Sequence, residues 1–438
     1  MEKSTLYIFS DQITTRLVYV LDIVFKDRGI SYKLINDAVE FEKVSALKWV
    51  YSDRPFESSY LTLSPVDLLF EEDIKTQNWS KKLWRGQEVL AFKNKTDVLA
   101  SIFYVLTCYE EYLVKERDEH DRVKVKHSLL QQLGWLDKLM VERWSNCLIN
   151  YLEEGLSASL GGKKLPNQLI PTFDIDNTFA YKLKTGYRKW MSIGRDLLKL
   201  DQDRLKQRSA VMKGIQTDPY DTFDKIISLK QTDLNPIVFW LLGDYGMFDR
   251  NISPNNLYHQ RVIRKVAQSL EVGIHPSYQS NASLNQLQAE KKRLEKILGK
   301  PVVKSRQHFL KLKLPYSYEH LIKNGITDDY TLGFAEITGF RAGIARPFNW
   351  FNLRTNAITS LILHPFAYMD GTLHEYMHLT ISEAKNNVEA LIDEVLEFGG
   401  DFICIWHNET IGDYGKWKGW VEVLQHTLNY WKVKSNAS

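Results

Sequence analysis

Two carboxylates stand two residues apart in Thr172-Phe173-Asp174-Ile175-Asp176, at the end of an apolar run. A strand repeats its side-chain direction every two residues, so Asp174 and Asp176 should face the same side and share one site. Carboxylates that close do not both stay ionised unless a cation lies between them or a proton is shared. The plainer alternative is a strand-end turn capped by Asp. His275, in the segment GIHPSY, also ends an apolar run. Alone it reads as a structural hydrogen-bonder, a reading that the company of the two carboxylates reverses in favour of a functional one. Arg306 and His308 in SRQHF repeat the spacing of two, so that one can orient a carboxylate and the other bind metal, against the simpler option of a surface ion pair. His407 closes the apolar run DFICIW and suits a general acid. His364 in LILHPF and Arg341 in GFRAG could serve as acid and as carboxylate holder, although structural roles are simpler for both. Asp328 and Asp329 read as a turn, or as a partner that orients a catalytic histidine.

Elements that bring these residues together are legible as short apolar strands alternating with helical stretches: QLIPTF, PIVFWLLG, EVGI, PVVKS, AITSLIL and DFICIW. That alternation predicts a parallel sheet, open or closed into a barrel. Asp174 and Asp176, Asp244, His275, Arg306 with His308, His364 and His407 come at or after successive strand ends, and in parallel α/β folds those ends share one rim. The first third reads as a smaller mixed α/β unit, with strands at Leu6–Phe9, Trp49–Ser52 and Val89–Phe92 and helices at Ile13–Phe25, Val98–Leu113 and Met140–Leu152. The stretch SASLGGKKLPNQ, Ser157–Gln168, has the composition of a surface linker. The expected division is therefore 1–160 and 166–438.

A chain of 438 residues with 44% hydrophobic content can bury a large core and is long for one domain. Basic and acidic residues nearly balance, 57 to 54, and no basic run interleaved with aromatics suggests a nucleic-acid groove. No apolar stretch reaches the ~18 residues of a membrane span, and the start MEKSTLYIFSDQ lacks a secretory signal, which makes a cytoplasmic location the default expectation. Cys108, Cys147 and Cys404 are isolated and expected to be buried thiols. Abundant aromatic residues suit either a bulky core or a sugar-stacking surface.

From TFDID onward the chain resembles the polysaccharide deacetylase (NodB-homology) family, and its layout is similar to that of deacetylase-like proteins of Bacteroidetes type. The resemblance implies a distorted (β/α) barrel that removes acetyl groups from a sugar or polysaccharide precursor with a divalent metal, Zn2+ best suiting the ligands. Carried over residue by residue, Asp174 is the base, Asp176 and His275 are metal ligands, Arg306 matches the arginine motif and His407 the final strand-end histidine. Where the family has a further histidine four residues after the first, this chain has Gln279. His308 could supply the missing ligand. Steadying of Asp174 falls to Arg306 or Arg341.

Three other readings stay open at this stage. FDIDNT also resembles the first motif of haloacid-dehalogenase-type phosphatases, with Asp174 as nucleophile, but no fitting Ser/Thr and Lys follow. A deacetylase-like domain that lost its metal triad at Gln279 would bind glycan without turnover. An Asp-x-Asp pair also serves nucleotide-sugar sites, for which no nucleotide-binding half is evident. Oligomeric state is not legible.

Overall fold

The computed structural model describes residues 5–56, 58–183, 202–232 and 234–436. Its first stretch begins with β1 (Leu6–Phe9), helix α1 (Thr15–Val24), β2 (Tyr32–Ile35), β3 (Leu47–Tyr51) and β4 (Thr62–Leu63), the strands forming a parallel sheet in the order β2-β1-β3-β4. Helix α1 starts where the Thr14 hydroxyl accepts from Leu17 N, and it buries Leu17, Val20, Leu21 and Val24. An antiparallel meander of β5 (Trp79–Trp84), β6 (Gln87–Phe92) and β7 (Lys95–Thr96) follows. Helix α2 (Val98–Leu106) stops earlier than its apolar spacing predicts. Cys108 takes a left-handed conformation with φ 48° and opens a short turn, Tyr109–Tyr112, that delivers Glu111 to Arg341. Helix α3 (Met140–Leu156) ends the stretch. Of the three free cysteines Cys108 and Cys404 are buried as expected, but Cys147, on α3, is only half-buried.

The second stretch supplies β8 (Asn167–Ile175), β9 (Ile237–Leu241), β10 (Glu271–His275), β11 (Lys304–Ser305), β12 (Asp328–Asp329), β13 (Phe348–Asn352), β14 (Ala357–Leu363), β15 (Tyr368–Met369) and β16 (Gly400–His407). They form one sheet in the order β13-β14-β12-β11-β10-β9-β8-β16-β15, parallel except for the β13–β14 pair. The α/β class is as expected, but among the described residues no strand pairing closes the ladder into a barrel. The flanks are nonetheless drawn together. Only residues 364–367 separate β14, paired with β12, from β15, paired with β16, and there Phe366 N donates to Leu332 O and Ala367 N to Ile403 O.

Burial on both faces explains why these strands read as unbroken apolar runs. Alternate residues Phe173, Val238, Trp240 and Phe402 pack into the large outer cluster, whereas Ile170, Ile237, Phe239, Ile403 and Ile405 pack with Tyr330 and Phe366 into a second, inner cluster. Continuing the inner series by two residues at a time leads, at the C-terminal ends, to Asp174 on β8, His275 on β10 and His407 on β16. Glycine is required at the inward position 273, because a Cβ there would lie 2.7 Å from the Phe239 ring and 2.8 Å from Lys304 O.

The two stretches share one apolar cluster, with Tyr19 and Phe103 packing their rings on Phe351 at 5.1 and 5.2 Å. Beside it lies a buried ionic network. Glu142, fully buried on α3, pairs with Arg28 and accepts from Arg346 Nε at 2.9 Å, while Arg346 also pairs with Asp27 and donates to Ile23 O at 2.8 Å. Removing one member leaves buried charge uncompensated, which costs more than the intact network contributes. Glu142→Ala is therefore expected to lower the unfolding free energy by about 3–5 kcal/mol, read as a drop in the denaturant midpoint; an unchanged midpoint would show that the two arginines find other partners.

Candidate metal and acid–base site

Side-chain position here follows from strand ends. Asp176 lies just past β8, His275 ends β10, and His308 begins a short turn past β11. Arg306 and His308 do not share a strand as their spacing suggested, because β11 is only two residues long and the chain leaves the sheet at Arg306. They reach the same place anyway: His275 Nε2 is 3.3 Å from Asp176 Oδ1, and His308 Nε2 is 3.5 Å from Asp176 Oδ2. Asp176, His275 and His308 thus bring one ligand atom each to within 4.8 Å of one another.

The far nitrogens decide what faces inward. His275 Nδ1 lies 2.6 Å from the Arg306 carbonyl and donates to it; His308 Nδ1 donates to Asp249 Oδ1 at 2.9 Å. Each ring therefore turns Nε2 toward the Asp176 carboxylate, whose buried Oδ1 has no hydrogen-bond donor among the described residues. Two lone pairs and a carboxylate converge only around positive charge, and a divalent cation with nitrogen and oxygen ligands fits that donor set. Without it a proton serves. Burial opposes charge on His308, but Asp176 and then Asp249 outweigh it and push the imidazole up to about 9. Burial likewise opposes charge on Asp176, and the facing His308, His275 and His407 outweigh it, holding the carboxyl well below the usual range.

Two further pairs flank this centre. Asp174, 2% exposed, accepts from Arg306 Nη1 at 2.9 Å, and the same nitrogen donates to Thr172 Oγ1 at 2.7 Å. Arg306 is wholly buried, with its guanidinium 4.5 Å from the Phe239 ring centroid and Nε bonded to Tyr330 O. On the other side His407 lies 3.9 Å from Asp176 Oδ2, and its Nδ1 donates to Asp370 Oδ1 at 2.8 Å. Burial works against protonation of His407, yet Asp370, then Asp176 and Asp174, raise its pKa well above the ordinary value. Asp370 is fixed by His407 N and the Thr410 hydroxyl, at 2.8 and 2.6 Å. All these groups except Arg306 and Thr172 open on a cavity of about 150 Å³ whose walls include Arg122, Phe309, Met369, Tyr376 and Trp417, or back directly onto its lining.

Other sequence candidates lie elsewhere. Arg341 is drawn to Glu111, bonded at 2.8 and 2.6 Å, and to Gly333 O, so it is not the group that holds Asp174. His364 stacks on Tyr330 at 4.2 Å and bonds Asp328 at 2.8 Å, away from the centre. Asp328 and Asp329 form strand β12 rather than a free turn, and Asp329 accepts from Ser305 and Thr331. Asp244 pairs with Arg293. Gln279 is exposed. Sequence reasoning missed Asp249 and Asp370, which orient His308 and His407; Asp249 lies in a loop and Asp370 opens a helical turn just past β15, where only the approach of a histidine distinguishes them from turn aspartates.

Residues 6–157 match a family of unknown function, DUF7033, which spans about a third of the chain. No curated protein matches. Among solved structures the chain is similar to a Mycobacterium smegmatis protein assigned as a polysaccharide deacetylase, at 15% identity and TM-score 0.40 over 61% of this chain and 84% of that one. It is similar to the PuuE allantoinase at 11% and 0.37 over 61% and 84%, and to a CE4-family pseudoenzyme from Bacillus anthracis at 10% and 0.31 over 61% and 62%. At these values the likeness carries no argument about chemistry, which has to come from the side chains.

A metal held by Asp176, His275 and His308 would have to displace the His308 proton. At pH 7 an imidazole with a pKa of about 9 is almost fully protonated, so binding of one Zn2+ should release about one proton. The release should fade, and the apparent affinity level off, above that value. Calorimetry in buffers of different ionisation enthalpy measures the number; zero protons released at pH 7 would remove His308 from the ligand set.

Proposed function

We propose that this chain is a metal-dependent hydrolase that removes an N-acyl group, acetyl foremost, from a sugar or polysaccharide precursor, working at the rim of a distorted (β/α) barrel. The observation that carries this reading is the convergence of three kinds of group on one small cavity: a ligand set, a carboxylate backed by a guanidinium, and an imidazolium backed by a carboxylate. The working boundary for this reading is 1–160 and 166–438, with every proposed ligand, base and acid in the second part.

Asp176, His275 and His308 would hold the ion, and two imidazoles with one carboxylate favour Zn2+. Bound there, a divalent ion supplies Lewis acidity, lowering the pKa of water and polarising a carbonyl. Asp174 takes the proton from the attacking water, and Arg306 keeps its carboxylate aimed at the cavity. His407, kept protonated by Asp370, gives its proton to the departing nitrogen, without which an amine does not leave. Asp249 fixes the ring of His308 and selects its tautomer.

Cavity size supports a small acyl group. At about 150 Å³ the space is well below the ~300–1,000 Å³ of drug-sized pockets, so the rest of the substrate lies outside, where the exposed Tyr376 ring suits the apolar face of a sugar ring. The rival phosphatase chemistry lacks support, since among the described residues the lining holds three histidines and no lysine.

Asp174→Asn should retain metal but lower acetate release from N-acetylated oligosaccharides by ~10² or more, the scale of a lost acid or base. Wild-type turnover in that variant would remove Asp174 from the reaction. Because the acid form of His407 is the active one, kcat should persist above neutral pH and fall on the alkaline side. Asp370→Asn removes the charge that raises this pKa, so the alkaline limb should move toward the ~6.5 of an ordinary histidine; a pH–rate profile identical to wild type would contradict the assignment.

A further inference from the structure

Between Asp118 and Arg122 the first stretch makes a turn that closes on itself. Asp118 N donates to Arg122 O at 2.9 Å, and the Asp118 carboxylate accepts from His120 N, Arg122 N and Arg122 Nε at 2.9, 2.8 and 2.6 Å. This locks the Arg122 side chain and leaves its Nη1 pointing outward from the turn, where it donates to Phe309 O at 2.9 Å. The His120 ring lies 4.8 Å from that of Phe309, and Asp121 reaches Lys313 at 3.1 Å. Every one of these contacts falls on the segment that follows His308.

That segment needs holding. Phe309 and Leu310 have φ 59° and 51°, two consecutive left-handed residues without a glycine, a strained arrangement that persists only where its surroundings hold it. His308 itself is tied to the chain beyond β10, its N donating to Pro276 O at 3.1 Å, but the strand before it is two residues long and among the described residues no ladder carries on past His308. Relaxation of either backbone angle would swing the His308 ring, whose Nε2 must stay on Asp176.

We propose that the 118–122 turn is part of the support of the metal centre, with Arg122 a positioning residue that fixes the strained Phe309 peptide and thereby aims His308. The inference rests on the reading of Asp176, His275 and His308 as ligands, and gives the first stretch a stated task at the site. It also explains why a ligand placed outside the His275 segment can serve: the chain clamps it from a distant part of the sequence.

The test uses the full chain, with Zn2+ affinity measured by chelator competition and geometry by the visible spectrum of the Co2+-loaded protein. Arg122→Ala should weaken Zn2+ binding by about 10- to 100-fold, the range for lost outer partners of a ligand, and change the Co2+ bands. Arg143→Ala, which breaks a contact between the two stretches at Glu394, is the control and should leave both unchanged. If Arg122→Ala does not fold, Asp118→Asn, which loosens the same guanidinium, should weaken binding in the same direction. Wild-type affinity and spectrum in whichever of these two variants folds would overturn the positioning role. Failure of the wild-type protein to bind either ion, or undiminished binding by His308→Ala, would instead overturn the ligand assignment beneath it.

Discussion

Two imidazole rings do not turn bare lone pairs onto one carboxylate unless positive charge sits between them. In this chain the outer nitrogens of His275 and His308 are already spent, on the Arg306 carbonyl and on Asp249, so the inner nitrogens have no other orientation. Asp176 meets them with an oxygen that no donor among the described residues satisfies. The rest of the site is arranged around that electrostatic demand. Asp174 is kept 3.9 Å from His275 and neutralised from behind by Arg306, so that it adds a base without competing for the same charge. His407 lies on the other side, its own charge balanced by Asp370.

An interior that tolerates this many charges has to solvate them with protein. The curled sheet does so by placing apolar residues along its inner face and polar ones at the C-terminal ends, with Arg306 passing between the two zones against Phe239. Arg306 with Asp174 and His407 with Asp370 are paired at hydrogen-bond range, the condition under which burial of charge is tolerable. The same logic recurs at the seam of the two stretches, where Glu142 sits between Arg28 and Arg346 and Glu111 meets Arg341.

How much of this was readable beforehand depends on the range of the deciding interaction. The direction of Asp174 and Asp176 is a local property of an extended chain, and the strand ends carrying His275 and His407 are visible as the ends of apolar runs. Arg341 was misplaced because its position among glycines says nothing of Glu111, 230 residues earlier. Asp249 and Asp370 were overlooked for the same reason, since each looks like a turn residue until a histidine from another strand arrives. β12 escaped notice because two residues carry no periodicity, and the predicted helix over Val98–Leu113 overran because a left-handed Cys108 has no sequence signal. The approach of the two flanks of the sheet is likewise settled by a four-residue crossing rather than by any strand's composition.

The Glu142 network has a temporal side. Synthesis runs from the N-terminus, so Arg28 is already made, 114 residues earlier, when Glu142 is added, whereas Arg346 follows 204 residues after Glu142. At 5–20 residues per second that is a delay of roughly 10 to 40 s. During it the nascent first third carries a half-compensated acid and an apolar flank awaiting Phe351, so this region has to be shielded, or stay loosely folded, until the later strands are made.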